Sequence, residues 1–233
     1  MGEQNSARIG GDDYQHLYSW YLMLPLLADN SDYDHVYVEH PKAGATDDVT
    51  LHPKIGRKIA SQYYQVKWHA TASGHYDFEY FINVKKPSIT SLLQKLFESW
   101  KKLKEGAGDV EIWLVSNWPA AADFIGLIGE GYELDESFHL KGPRSRVGKA
   151  RKLWCSSLKA DERELAEFCR ALRLRLGFAS TRDLAAMVDD RMSSYGLKSG
   201  DGPRKIVLSS IRDIIKAGGS KKKFTLESLR EFI

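Results

Sequence analysis

At 233 residues the chain is long enough for one sizeable domain, or a domain with a small appendage, and its 42% hydrophobic and 11% aromatic content can build a full core. A formal net charge of +3 is too small to declare a nucleic-acid partner, and two cysteines with no CxxC pair exclude a disulfide scaffold and a cysteine-based zinc site. The opening MGEQNSARIGGDD lacks the apolar stretch of a signal peptide and the run from Trp20 to Leu27 is too short to span a bilayer, so a cytoplasmic protein without membrane contact is expected.

In chain order, Asp12 and Asp13 are placed to cap a helix running to about Ala28, apolar nearly all round and therefore buried. The alternating DHVYVE predicts a first strand over residues 34–39, a loop with Pro41 and Gly44 leads to a short second strand over 48–52, and the aromatic SQYYQVKWH predicts a third over 61–69. FEYFINV fits a strand or a helix. After Pro87, apolar residues from Ile89 to Leu103 recur at helical spacing, which predicts a helix over 88–104 capped by Ser88 or Thr90. DVEIWLVSN, almost continuously apolar, predicts a central fourth strand over 109–117, and residues 118–129 read as a helix docked on it.

Within this order one stretch carries chemistry. Gln65 and Lys67 alternate along the third strand and so share a face, and Asp48 on the strand before it is expected on or next to that face. An acid, a carboxamide oxygen and an amine converging at a sheet edge suit a hard divalent cation and a water held against it. Register decides between Asp47 and Asp48, since a one-residue slip swaps them; Asp48 adjoins Val49 within the strand and is favoured. Each residue also has a plain reading: Asp47-Asp48 as turn chemistry, Glu39 and Lys67 as a surface ion pair, QVK as a solvated strand face.

The order αβββαβ, with GGDDYQHLYSWYLML, VEHPKAGATDDV and YYQVKW in sequence, resembles the PD-(D/E)xK nuclease superfamily, whose Mrr-type branch carries QxK. More narrowly, these segments are similar to the double-strand DNA endonuclease domain of bacterial antiphage effectors, found in cyclic-oligonucleotide signalling (CBASS) systems and at the N-terminus of some antiphage STAND ATPases. The resemblance covers residues 8 to 118. It implies an α/β, restriction-endonuclease-like core with a mixed central sheet, and Mg²⁺ (with Mn²⁺ as substitute) held by Asp48, the Gln65 side chain and the Val66 carbonyl. It implies that Lys67 orients or deprotonates the attacking water, that Glu39 acts through water or a second metal, and that Gln15 faces the same site. Glutamine at position 65, where the superfamily commonly has a carboxylate, lowers the charge offered to a metal. The expected partner is double-stranded DNA, cut with little sequence preference by a homo-oligomer. The rival readings are an inactive nuclease-fold module for DNA binding or assembly, and an RNA-directed nuclease.

His69 shares the face of Lys67 and is a secondary candidate for phosphate contact, or simply a polar strand end. The other histidines show no metal-ligand spacing. The chain divides into a core over 1–140, a basic segment over 141–160 and a helical subdomain over 161–233. The basic segment, KGPRSRVGKARK, fails as a P-loop because five residues separate Gly142 from Gly148 and Ala150 follows the lysine. Lys141, Arg144, Arg146, Lys149, Arg151 and Lys152 read as a DNA-backbone surface or as a solvated linker. Beyond Asp161 four helical stretches are punctuated by Gly177, Gly196, Gly218 and Gly219, with Ser220 to Lys223 as a basic turn. The pattern ends inside an amphipathic stretch at Ile233, so a sensor or oligomerisation domain is expected to follow.

Overall fold

The computed structural model describes residues 2–71, 73–106, 108–218 and 223–233. Helix α1 (Gly2–Met23) is longer than the sequence predicts, and Asp12 and Asp13 lie inside it rather than at its cap. Gly10 allows this continuation to pack: a Cβ there would stand 2.8 Å from the Trp68 ring. Pro25 ends the helix in a 3₁₀ turn, Leu24–Leu27.

Strands β1 (Tyr33–Val38), β2 (Val49–Pro53) and β3 (Ser61–Lys67) follow as an antiparallel meander. The FEYFINV stretch resolves as a one-turn helix, α2 (Phe78–Ile82), capped by Asp77, whose carboxylate accepts from the Tyr80 N–H at 2.7 Å. Helix α3 (Leu92–Lys104) begins three residues later than a Ser88 cap implies. Ser91 and Gln94 form a reciprocal capping box, while Ile89, expected within the helix, is 91% exposed. Strand β4 (Val110–Ser116) runs parallel to β3.

Of the predicted helix over 118–129 only α4 (Ala122–Ile125) forms; Pro119 holds the preceding residue extended, and the Tyr76 and Ala120 backbones bridge instead. Then come α5 (Glu136–Leu140), α6 (Arg146–Leu158) and α7 (Glu162–Ala171). The largest departure follows. The sequence LRLRL, read as helix, is β5 (Leu172–Leu176), parallel to β4. After α8 (Thr181–Ser194) and α9 (Asp201–Ala217), β6 (Lys223–Thr225) pairs with β1, and α10 (Leu226–Phe232) closes the described chain. Gly219 and residues 220–222 of the expected basic turn lie outside the described residues.

The result is a mixed six-stranded sheet in the order β5-β4-β3-β2-β1-β6. Segment 161–233 is therefore not a purely helical subdomain, because it supplies a strand to each edge of the sheet. Two apolar layers enclose the sheet. On one face Tyr63, Ile112, Leu114, Leu172 and Leu174 meet α2, α3, α6 and α7. On the other, Val36, Val49, Tyr64, Val66 and Val115 meet α1, α8 and α9. No helix among the described residues is long and apolar enough to cross a membrane.

Trp154 of α6 anchors the first layer. It is fully buried among Phe78, Phe81 and Phe138, and its indole N–H donates to the Phe78 carbonyl at 3.1 Å. Trp154→Ala is expected to cost about 3–5 kcal/mol, lowering the melting temperature by about 10 °C in a thermal scan.

Candidate active site

The site forms where β2 and β3 part. Their ladder ends at the pair Val49–Tyr64, leaving the Val66 N–H without its partner across the strands. The Asp48 carboxylate takes that place: one oxygen, Oδ2, accepts from the Val66 N–H at 2.6 Å and from the Gln65 side-chain N–H at 2.5 Å. By strand alternation Gln65 and Lys67 point to the α3 face, and Asp48 joins them there. Asp48, not Asp47, makes these contacts; Asp47 is half-buried and its carbonyl accepts from the His40 N–H at 2.7 Å.

The loop that delivers Asp48 is tied to α3. Gly44 has φ +67°, and a Cβ there would stand 2.9 Å from the Ser99 hydroxyl, which itself accepts from the Ala45 N–H at 2.9 Å. Only glycine combines that backbone conformation with so close an approach. A chain of sequence-distant contacts thus fixes the height of Asp48 against β3.

Burial dominates the electrostatics. Asp48 is 9% exposed, and burial pushes its pKa up to about 6 against the pull of the Val66 N–H and of the Lys67 ammonium. Lys67, half-buried, is pushed below the ordinary lysine value by burial first; Lys95 pushes the same way, while Asp48 and Asp47 oppose. An amine that gives up its proton more easily lies beside a carboxylate that is ionised only above mildly acidic pH.

The other expected residues take varied places. Glu39 follows β1 with φ +49°, its N–H donating to the Asp48 carbonyl at 3.1 Å. Gln15 is half-buried on α1, the helix that backs the opposite face of the sheet. His69 stacks on Trp118 at 3.6 Å between ring centres, and its Nε2 pairs with the Tyr76 hydroxyl at 3.0 Å. Burial, then Lys85 and Lys67, push its pKa down to about 4, so it is neutral at physiological pH and carries no charge toward a phosphate. Asn117 pins the end of β3 by bonding both the N–H and the carbonyl of His69 at 2.8 Å.

The donors that Asp48, Gln65 and the Val66 carbonyl offer are all oxygens, and a buried carboxylate with a raised pKa gains from a cation beside it. These residues fit a hard divalent ion in kind. Among the described residues no three His, Cys, Asp or Glu side chains gather to hold a metal. Glu39 and Asp47 therefore do not gather with Asp48 into a three-carboxylate cage among the described residues.

The basic segment needs a correction. It is neither a linker nor a uniform cationic surface, because α6 packs it into the first layer. Arg151 is 6% exposed and donates to the carbonyls of Phe138 at 2.8 Å and Lys141 at 3.1 Å, with Glu162 at 3.6 Å; it is committed to the interior. Arg146 pairs with Asp123 at 2.6 Å, whereas Lys141, Arg144, Lys149 and Lys152 remain exposed. Arg151→Ala, which leaves buried carbonyls unmatched, is expected to cost on the order of 2–4 kcal/mol, while Lys149→Ala stays within about 0.5 kcal/mol. Parallel denaturant titrations check the contrast.

No family model matches the chain. It is 28% identical over 166 residues to CD-NTase-associated protein 4 of Enterobacter hormaechei subsp. hoffmannii (strain UCI 50), a match covering 64% of this chain and 32% of the relative's length. Among solved structures it is similar to the Acinetobacter baumannii Cap4 SAVED/CARF-domain containing receptor with the cyclic trinucleotide 3'3'3'-cAAA, at TM-score 0.46 and 16% identity, covering 96% of this chain and 43% of that one. The Moraxella osloensis Cap4 SAVED/CARF-domain containing receptor gives TM-score 0.43 and 16% identity, covering 97% and 47%. The chain is thus similar in sequence to a CD-NTase-associated protein, and it spans less than half the length of each of these relatives.

Proposed function

We propose that this chain is a metal-dependent double-stranded DNA endonuclease acting in a CBASS-type antiphage defence. The observation that carries the reading is the convergence of Asp48, Gln65 and Lys67 on one face of the sheet, at the point where β2 and β3 separate. The similarity to CD-NTase-associated protein 4 supports the defence context. The element order αβββαβ supports the restriction-endonuclease-like core.

In this reading Asp48, the Gln65 carboxamide oxygen and the Val66 carbonyl would hold Mg²⁺ or Mn²⁺. Such an ion, when bound, withdraws charge from the phosphate and eases ionisation of the attacking water. The chain's own residues do the rest. Ionised Asp48, held by two N–H donors, supplies the fixed negative charge of the site. Lys67 would orient the water beside β3, and its Nζ, eased toward the neutral form by burial, would take the water's proton as the water oxygen bonds to phosphorus and one P–O ester bond breaks, the leaving oxygen gaining its proton from solvent. In its ammonium form it offsets charge growing on the phosphate oxygens. Breaking a duplex requires two such sheets facing opposite strands, so activation by homo-oligomerisation belongs to the same proposal, as does a sensor domain joined to this one. The test is plasmid DNA cleavage with Mg²⁺ against an EDTA control, across a wide range of protein concentration. Nicking or linearisation that the chelator abolishes supports the reading. Absence of cleavage at every concentration, with a melting temperature indifferent to Mg²⁺ and Mn²⁺, overturns it in favour of a binding module.

A further inference from the structure

A cleft of about 190 Å³ opens beside Lys67 on the α3 face of the sheet. Its walls include Gln65, Lys67, Tyr80, Asn83, Lys85 and Lys95, drawn from β3, from α2 and the stretch after it, and from α3. No carboxylate stands among the described residues that line it. Lys95 and Lys85 are exposed, and the Lys85 ammonium lies over the Tyr80 ring at 3.9 Å from its centre.

Three ammonium groups facing one small cleft repel one another, and Asp48 offsets part of the charge of Lys67. Side chains free to swing into solvent escape such repulsion unless an anion rewards them for staying. The ring under Lys85 restricts that escape, holding the amine at the cleft mouth by cation–π attraction. The amide of Asn83 and the hydroxyl of Thr90 add neutral hydrogen-bonding groups around the same opening, while the Ser88 hydroxyl is bonded to the Thr90 backbone. Amines and neutral polar groups without carboxylates suit phosphodiester oxygens. Sequence gives little warning of this, because Lys85 and Lys95 sit ten positions apart on separate elements.

We propose that the cleft is a DNA phosphate subsite, in which Lys85 and Lys95 are positioning residues that hold the phosphates flanking the scissile one. The proposal rests on the nuclease reading and deepens it, naming how the strand is registered against Lys67 and Asp48. Lys67 meets the reacting phosphate, whereas Lys85 and Lys95 fix its neighbours and carry no part of the proton transfer.

The experiment is fluorescence anisotropy with a labelled DNA duplex in EDTA, where cleavage is off, across a series of KCl concentrations. Wild type is compared with Lys85→Gln, Lys95→Gln, the double variant, and Lys216→Gln on α9 in the opposite layer as control. Each lysine that neutralises a phosphate contributes about 0.9 to the slope of log affinity against log salt. The expected result is a slope shallower by about 0.9 for each single variant and about twice that for the double, with the control unchanged and all melting temperatures alike. On plasmid substrate the single variants raise KM more than they lower kcat. Unchanged slopes in both single variants, with wild type binding and cleaving normally, overturn the subsite and leave the nuclease standing. Wild type that neither binds duplex nor cleaves it overturns both.

Discussion

Asp48→Ala and Lys67→Ala are each expected to reduce the proposed Mg²⁺-dependent plasmid cleavage by on the order of 10³-fold, with duplex binding in EDTA falling little for Asp48→Ala. The size follows from what each side chain contributes. In the proposed reaction Lys67 would combine proton acceptance with stabilisation of charge on the phosphate, and either role alone is worth about 10²–10³ in rate. Among the three groups proposed to hold the cation, Asp48 is the carboxylate, so its loss would remove their negative charge. Asp48→Ala also strands the Val66 and Gln65 N–H groups, so its melting temperature must be read beside its activity. Lys67→Ala leaves both of those N–H bonds to Asp48 in place, and its melting temperature is read in the same way. Cleavage that survives both substitutions assigns the activity to a contaminant or to another site. Loss in the variants together with retained DNA binding places the chemistry at the parting of β2 and β3.

Asp48→Asn is expected to stabilise the protein at neutral pH while it destroys cleavage. In the folded chain the Asp48 pKa stands at about 6 against an ordinary 3.8, because burial disfavours the carboxylate. Between those values the native state keeps a proton that the unfolded chain has lost, so stability falls as pH rises through the window and stays lowered above it. The difference amounts to on the order of 3 kcal/mol above pH 7. An asparagine at this position keeps an oxygen acceptor for both N–H donors and carries no charge to bury. Its melting temperature should exceed that of wild type by on the order of 5–10 °C at pH 7.5 and match it near pH 4. Mg²⁺ should raise the melting temperature of wild type at pH 7.5 and leave the variant unmoved. A wild type that gains stability relative to the variant on going from pH 4 to pH 7 refutes the burial account.

At Asp48 stability and the proposed cleavage run in opposite directions. A buried carboxylate with a raised pKa is a local cost that the fold carries, offset elsewhere by large apolar clusters on both sheet faces. Trp154 and its aromatic neighbours in one layer, and Tyr14, Tyr18 and Trp20 in the other, supply that surplus.

The sequence by itself determined the elements whose signals are local. The alternation of SQYYQVK marks β3 and puts Gln65 and Lys67 on one face, and the helical spacing from Leu92 to Leu103 marks α3. The order helix, three strands, helix, strand follows from the same periodicities. Tertiary structure decided everything that depends on distant partners. LRLRL alternates as a strand should, yet it sits between helical stretches and becomes β5 only because β4 offers a parallel edge about 60 residues earlier. Lys223 to Thr225 is too short to signal a strand and pairs with β1 across almost the whole chain. Arg151 looks like its basic neighbours in sequence, but the turn of α6 aims it inward at the carbonyls of Phe138 and Lys141. The cleft of Lys67, Lys85 and Lys95 likewise exists only after folding. Periodicity reports which face of an element is apolar; it does not report which other element covers that face, and charge, burial and pKa at the site are set by the covering element.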